Sequence, residues 1–267
     1  MKGFDPKFKD LPDYILGITK EIWEDRGVDR IRTYYAETGP VRAPAGMVVG
    51  IDQVLAATMA TLAEFPDRTL LGEDVIWSGD DETGFLSSHR LLSTATHLNP
   101  GVYGAATGKS LRYRIIADCA CLDNRVFDEW LVRDQGAVVL QLGIEPKRYA
   151  AERIAAEGGP EAAKRPFTPA IDVDGGYHGT GNDHPVGQRY GELLIRIMAA
   201  EFRVIPEHYD RACQLELPNG VTGHGHNAAD QFWMGLRAAL PDATFKIEHL
   251  IGREDPAMPP RAACRWS

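Results

Sequence analysis

Three runs of alternating apolar and polar residues, joined by short turns, constrain this chain more than any other feature. Period-two alternation with many β-branched and aromatic residues is typical of half-buried antiparallel strands. Asp123 and Asn124 tolerate the left-handed backbone of a tight hairpin turn between the second and third runs. The stretch from Leu86 to Gly143 is therefore predicted to be a three-stranded meander. Its runs are FLSSHRLLSTATHL, SLRYRIIADCACL and RVFDEWLVRDQG.

Helices are predicted before this meander. The stretch from Leu11 to Arg26 has apolar residues at helical spacing, and a second amphipathic stretch opens at Asp52 and ends before Pro66. A short strand or hairpin lies between them, in VRAPAGMVVG. We expect these elements to cover the inner face of the meander.

The second half of the chain repeats features of the first half. A glycine precedes a Pro-Asp pair by sixteen residues at Gly50 and Pro66, and again at Gly225 and Pro241. Such internal similarity indicates two related domains in tandem. The predicted division is a first domain at 1–145, a helix and an irregular Pro-, Gly- and Asp-rich linker at 146–185, and a second, partial domain at 186–267.

The second copy has no counterpart of the tract from His97 to Gly143. A domain without two of its strands would expose a sheet edge and part of its core. We therefore expect either that the native chain is longer or that another chain completes the second domain. The longer chain is the favoured alternative.

The charge balance disfavours two classes of partner. The chain has 29 Lys and Arg against 38 Asp and Glu, a formal net charge of −9, which argues against binding nucleic acid or an anionic membrane. No apolar run of membrane-spanning length occurs. Cys119 and Cys121 are spaced C-A-C rather than C-x-x-C, so buried thiols in a reducing cytoplasm are predicted and no metal site is expected.

The sequence THLNPGVYGAATGK, from Thr96 to Lys109, is followed by DNRVFDEWLVRD and by QLG at Gln141 to Gly143. This combination resembles the SnoaL-like polyketide cyclases, or ester cyclases, of the nuclear transport factor 2-like superfamily. The resemblance covers residues 10–145 and, more weakly, 186–267. It implies an α+β, cone-shaped fold with a curved antiparallel sheet and helices on its concave face, in tandem. It also implies aldol ring closure of polyketide esters without a metal or an organic cofactor.

This sequence departs from the family at its catalytic positions. The resemblance places the family's catalytic aspartate at Leu131 and its Gln-x-His pair at Ile115 and Ala117. None of these side chains can transfer a proton, so the family's own acid/base set is not kept.

Period two places Glu129 on the same face as Leu131, where apolar neighbours would raise its pKa toward the range of a general base. His97 keeps its place in the T-H turn and could orient a carbonyl or donate a proton. Glu129 and His97 are the predicted catalytic residues; the structural alternatives are an ion pair or rim position for Glu129 and turn hydrogen bonds for His97. Asp134 is interpreted as a cap. The predicted substrate-binding residues are Tyr113, Ile115, Ala117, Phe127, Leu131, Tyr34 and Trp77.

Two functions from different classes remain open. The preferred one is a cofactor-free enzyme with acid/base chemistry in an apolar cone pocket, a lyase of the cyclase or isomerase kind, with hydrolysis of a small epoxide or ester as a weaker variant. The alternative is a non-catalytic module of the same fold that binds a small molecule or dimerises. The expected partners are an apolar small molecule and a second copy of the chain.

Overall fold

The computed structural model describes residues 1–267, which divide into two units, 1–178 and 179–267. The first unit therefore includes residues 146–178. Its helices are α1 (Leu11–Thr19), α2 (Ile31–Tyr34), α3 (Ile51–Glu64), α4 (Gln135–Gln141) and α5 (Pro146–Ala156). Its strands are β1 (Pro40–Ala43), β2 (Gly46–Val49), β3 (Thr69–Asp80), β4 (Gly84–Thr96), β5 (Ser110–Leu122) and β6 (Arg125–Arg133).

Local chemistry explains where α1 begins and which face it buries. The Asp10 side chain accepts a hydrogen bond from the Asp13 amide at 2.9 Å, and Pro12 occupies the first turn, where its missing N–H is not needed. Tyr14, Ile15 and Ile18 are buried against the sheet. A π-helical turn, Lys20–Glu24, continues α1, so the predicted helix is confirmed over most of its length.

The sheet of unit 1 has six strands in the order β2-β1-β6-β5-β4-β3. All neighbours are antiparallel except β1 and β6, which are parallel. Residues of α1 and α3 share one apolar core with the inward side chains of β3 to β6. The predicted α+β fold, an antiparallel-rich sheet with helices over one face, is confirmed for this unit.

The sequence interpretation extends the third strand to Gly136, beyond its end in the structure. Strand β6 ends at Arg133, and Asp134 caps α4 by accepting a hydrogen bond from the Ala137 amide at 3.0 Å, as predicted for a cap. The Gln141 side chain then bonds both the N–H and the C=O of Arg112, at 2.8 and 2.9 Å. A side-chain amide thus takes the place of a strand partner beyond the end of β6.

A β-bulge interrupts the alternation of β6. Ala120 pairs with Asp128 and Cys121 with Val126, so Phe127 has no partner on β5. Val126 and Glu129 both face inward as a result, although they are three residues apart. The assignment of Phe127 to the inner face is therefore wrong; its ring lies 6.5 Å from that of Tyr177, centroid to centroid.

An irregular segment, 167–178, covers part of the outer sheet face; we call it the strap. Arg42 of β1 holds it: the guanidinium pairs with Asp128 of β6 and Asp172 of the strap, and Nη2 donates to the Val173 carbonyl at 2.7 Å. The guanidinium carbon also lies 4.6 Å from the Trp130 ring centroid. The predicted irregular linker is irregular in this part, with one short 3₁₀ turn, but it is packed on the sheet.

Unit 2 contains two separate hairpins, β7 with β8 and β9 with β10. The order of its elements is that of the first part of unit 1, where β5 and β6 join the corresponding hairpins into one sheet. This order supports the tandem interpretation, which stays a prediction. None of the helices combines the length and the apolar composition that a membrane-spanning helix requires. The elements of unit 2 are α6 (Pro185–Met198), α7 (Ile205–His208), β7 (Gln214–Leu217), β8 (Val221–His224), α8 (Gly225–Ala239), β9 (Ile247–Asp255) and β10 (Met258–Trp266).

Candidate functional site

The inner sheet face and the helices of unit 1 enclose an apolar cavity with a few polar groups. Its empty volume is about 540 Å³, and it adjoins a wider space of about 800 Å³, counted with the solvent at its opening. The smaller figure also includes solvent at its opening. Six residues line both spaces: Trp23, Tyr35, Arg68, Glu129, Leu131 and Arg133.

Glu129 is held at the boundary of these two spaces by strands on both sides of β6. It pairs with Cys119 of β5 and with Val41 of β1, and only 6% of the residue is exposed. The Tyr35 hydroxyl donates to Glu129 Oε2 at 2.9 Å. Burial raises the pKa of the Glu129 carboxyl to about 7, against the smaller opposing effects of the Tyr35 hydrogen bond and the Arg133 charge. A carboxyl with this pKa can accept and return a proton near neutral pH.

The nearest phenol and thiols around Glu129 are uncharged. Burial, with the Glu129 charge as the next cause, raises the pKa of the Tyr35 phenol well above its usual value, so the phenol keeps its proton. The same two causes raise the thiol pKa of Cys119 and Cys121. Both cysteines are free and buried, as predicted, and a thiol of this kind is a poor nucleophile.

His89, rather than His97, lines the cavity with Glu129. It lies on the inner face of β4, opposite Val75 of β3 and Ala117 of β5. Burial lowers the pKa of the His89 imidazole to about 4, so the ring is neutral at pH 7. Its Nε2 is enclosed and has no hydrogen-bond partner.

The structure does not bring the predicted catalytic residue His97 to Glu129. The imidazole is completely buried and lines none of the described cavities. Its Nε2 lies 3.2 Å from Glu64 Oε1, and its Nδ1 lies 3.2 Å from Thr107 Oγ1. The Thr107 contact lies within the turn, as the structural alternative expects, whereas Glu64 belongs to α3.

Glu64 ties the glycine-rich loop after β4 to the end of α3. Its carboxylate accepts hydrogen bonds from the Val102 and Tyr103 amides at 3.1 and 2.9 Å. A Cβ at position 101 would lie 2.2 Å from the Glu64 carboxyl carbon, so only glycine leaves room for this approach. A buried carboxylate from outside the loop therefore helps to order it, and Gly101 makes room for that carboxylate.

Glu64→Gln is expected to lower the free energy of unfolding by about 1–3 kcal/mol, because one loop amide loses a charged acceptor in a buried place. Urea unfolding followed by tryptophan fluorescence measures the change. Asp52→Asn, an exposed carboxylate on the same helix, is the matched control and should stay within about 0.5 kcal/mol of the wild type. Equal stability of the two variants would contradict the role given to Glu64.

Three of the predicted substrate-binding residues lie together in the cavity with Glu129: Ile115, Ala117 and Leu131. Tyr113 lines a neighbouring space, which also contains Arg133 and Tyr103. The positions where the family resemblance implied proton-transferring groups therefore supply apolar walls.

Two further predicted residues, Tyr34 and Trp77, do not line the cavity. The Tyr34 hydroxyl bonds Glu21 and Lys7 at 2.7 and 2.8 Å. The Trp77 ring packs edge-on to Phe85, with centroids 5.5 Å apart. With Phe127 on the other face, three of the seven predicted contacts lie outside the site.

The polar cavity residues that the sequence interpretation does not include among its site residues are Thr19, Tyr35, Arg68, His89 and Arg133. Period two counted from Glu129 would have placed Arg133 on the inner face. Period two also places His89 on the face of the predicted site, but its distance from His97 along the strand argued against a shared site. Nothing local distinguishes Arg68, which follows the Pro-Asp pair, or Tyr35 from core residues.

No protein-family model matches the chain, and no curated protein matches it. Solved structures that are similar to it include a SnoaL-like polyketide cyclase from Agrobacterium tumefaciens, with 18% sequence identity and a TM-score of 0.42. The match covers 51% of this chain and 100% of the cyclase chain. IdmH from Streptomyces antibioticus, assigned as a polyketide cyclase, has 21% identity and a TM-score of 0.44, covering 50% and 98%. AclR from Streptomyces galilaeus, assigned as a hydroxylase, has 18% identity and a TM-score of 0.44, covering 50% and 95%.

Proposed function

We propose that unit 1 is a cofactor-free enzyme that removes a proton from carbon next to a carbonyl group in an apolar small molecule, with Glu129 as the general base. The observation that carries this proposal is a buried carboxyl with a pKa of about 7 that lines an apolar cavity. Tyr35 engages Oε2, so Oε1 is the oxygen that takes the proton.

The proposed reaction needs no group beyond the ligand and these side chains. Glu129 Oε1 takes the proton, and the electrons of the C–H bond move onto the carbonyl oxygen to form an enolate. The enolate then either takes this proton back from Glu129 at a different, conjugated carbon, which gives an isomer, or attacks a second carbonyl carbon of the same molecule, which closes a ring and leaves an alkoxide. In the second case Glu129 gives its proton to the alkoxide, so in both cases the protein ends the cycle unchanged.

A non-catalytic binding module is the second candidate. It is favoured by the apolar side chains of Leu131, Ile115 and Ala117, which line the cavity at positions where the family resemblance implies catalytic groups. Such a module would hold an apolar ligand without changing it.

Glu129→Gln separates the two candidates. We expect the wild type to accelerate hydrogen–deuterium exchange at the α-carbons of cyclic ketones and β-keto esters, measured by NMR in D₂O. The rate should rise as pH increases through about 7, because the base must be deprotonated. Glu129→Gln should lower the rate by about 10²–10⁴-fold.

Glu37→Gln, which changes an exposed carboxylate outside the cavity, is the control and should keep the wild-type rate. If the wild type and Glu129→Gln bind the ligand equally well and neither accelerates hydrogen–deuterium exchange, the binding module is favoured. An exchange rate that Glu129→Gln leaves unchanged would exclude Glu129 as the base.

A further inference from the structure

Two arginine side chains reach the cavity without an acidic partner. Arg68, which is only 5% exposed, and Arg133 both line it. Neither is part of an ion pair with Asp or Glu, whereas the other buried arginine of unit 1, Arg42, pairs with Asp128 and Asp172. Burying a cation without a counter-charge is costly, so this pair calls for an explanation.

The hydrogen bonds of the two guanidinium groups are incomplete. Arg68 Nε donates to Ser93 Oγ at a long 3.4 Å, and the Tyr113 phenol is a second neighbour of Arg68. Arg133 Nε is enclosed but has no partner. Because each guanidinium carries five N–H donors in a rigid fork, several remain for a ligand.

The acidic side chains of the adjoining spaces do not neutralise the pair. Glu64 is engaged by the Val102 and Tyr103 amides and by His97. Glu129 precedes Arg133 by four residues on β6, about 13 Å between Cα atoms in an extended strand. The charge of Arg133 acts on Glu129, but the two groups form no ion pair.

We infer that Arg68 and Arg133, together with the Tyr113 phenol, form a subsite for a carboxylate group carried by the ligand. The inference rests on the proposed function, because it names the substrate class of the same cavity. A planar carboxylate matches the fork of a guanidinium. A monoanion is preferred to a phosphate dianion, because most of the cavity lining is apolar and a second negative charge would be costly to desolvate there.

The position of the subsite also restricts the shape of the ligand. Leu131 lies between Glu129 and Arg133 on the inner face of β6. A carboxylate bound at Arg133 therefore directs the apolar body of the ligand across Leu131 toward Glu129. The acidic C–H and the carboxylate of the substrate are separated by several bonds.

Isothermal titration with 1-naphthoate and its neutral isostere 1-naphthamide tests the subsite on the full chain. The wild type is expected to bind naphthoate at least tenfold more tightly than naphthamide. Arg133→Gln and Arg68→Gln should each weaken naphthoate binding by about tenfold or more and change naphthamide binding less than threefold. Arg112→Gln, an exposed arginine on β5, is the matched control and should change neither affinity.

Equal affinity for the two probes, no binding of either, or competition by inorganic phosphate at the concentration of naphthoate would overturn the subsite. Arg133 is less buried than Arg68, so Arg133→Gln carries the test if Arg68→Gln does not fold. Failure of the general-base proposal would appear in deuterium exchange, which does not depend on probe selectivity.

Discussion

Arg42→Met is expected to lower the free energy of unfolding of unit 1 by about 3–5 kcal/mol. The substitution keeps an unbranched side chain but removes the cation that neutralises Asp128 and Asp172. Asp128 is only 2% exposed, so its carboxylate cannot turn to water in compensation. Urea unfolding of the full chain, followed by tryptophan fluorescence, measures the loss, and protease cleavage within the strap should become faster because its anchor is gone.

Two further variants locate the origin of this loss. Arg42→Met with Asp128→Leu should recover a large part of the stability, because the buried negative charge is removed as well. Arg32→Met, which breaks an exposed ion pair with Asp52, should change stability by less than about 1 kcal/mol. A change in Arg42→Met as small as that of Arg32→Met would show that the strap is not anchored by this ion pair.

Glu129→Gln is expected to stabilise the protein at alkaline pH. The folded-state pKa of Glu129 is about 7, raised from 4.5, so the folded state binds this proton more tightly than the unfolded state does. The stability that results is fully present below about pH 4.5 and is lost as pH rises through about 7. Glutamine does not titrate and can still accept the Tyr35 hydrogen bond. The variant should therefore match the wild type near pH 4 and exceed it by about 3 kcal/mol at pH 8.

Thermal and urea unfolding between pH 4 and pH 9 measure this difference. Glu37→Gln should give the same small difference at every pH, because its carboxylate is exposed. Tyr35→Phe removes a hydrogen bond that lowers the Glu129 pKa, so its stability should continue to fall up to a higher pH than that of the wild type. A pH-independent difference between Glu129→Gln and the wild type would show that Glu129 has an ordinary pKa.

The features that local pattern specifies were predictable from the sequence. Three strands, the Asp123-Asn124 turn and the Asp134 cap all depend on neighbours within a few residues, and Glu129 was placed correctly on the inner face by its distance from Leu131. The bulge was not predictable, because Val126 and Phe127 are both apolar and either could face the core. Period two therefore failed at Phe127, just where the strand gained an extra residue.

Residues that depend on tertiary contact escaped the sequence interpretation. Arg68 and Tyr35 enter the cavity from segments far from β6, and no spacing rule connects them to Glu129. His89 was excluded by a distance measured to His97, which belongs to another part of the fold. The helix at Gln135–Gln141 was missed because Val138 and Val139 have high strand propensity. Their packing, and the bond of Gln141 to Arg112, outweigh that propensity.

The parallel pairing of β1 with β6 has a consequence for how the protein folds. The hairpins of β3 to β6 close short loops, whereas the Tyr35–Glu129 bond joins residues 94 positions apart. Closing a long loop costs more chain entropy than closing a short one. We therefore expect β1 to pair with β6 after the hairpins have formed. Until then Glu129 lies at an open sheet edge and titrates like any exposed glutamate. Proton uptake by this one carboxyl would therefore mark the last step of assembly, when the edge is covered and the site first exists.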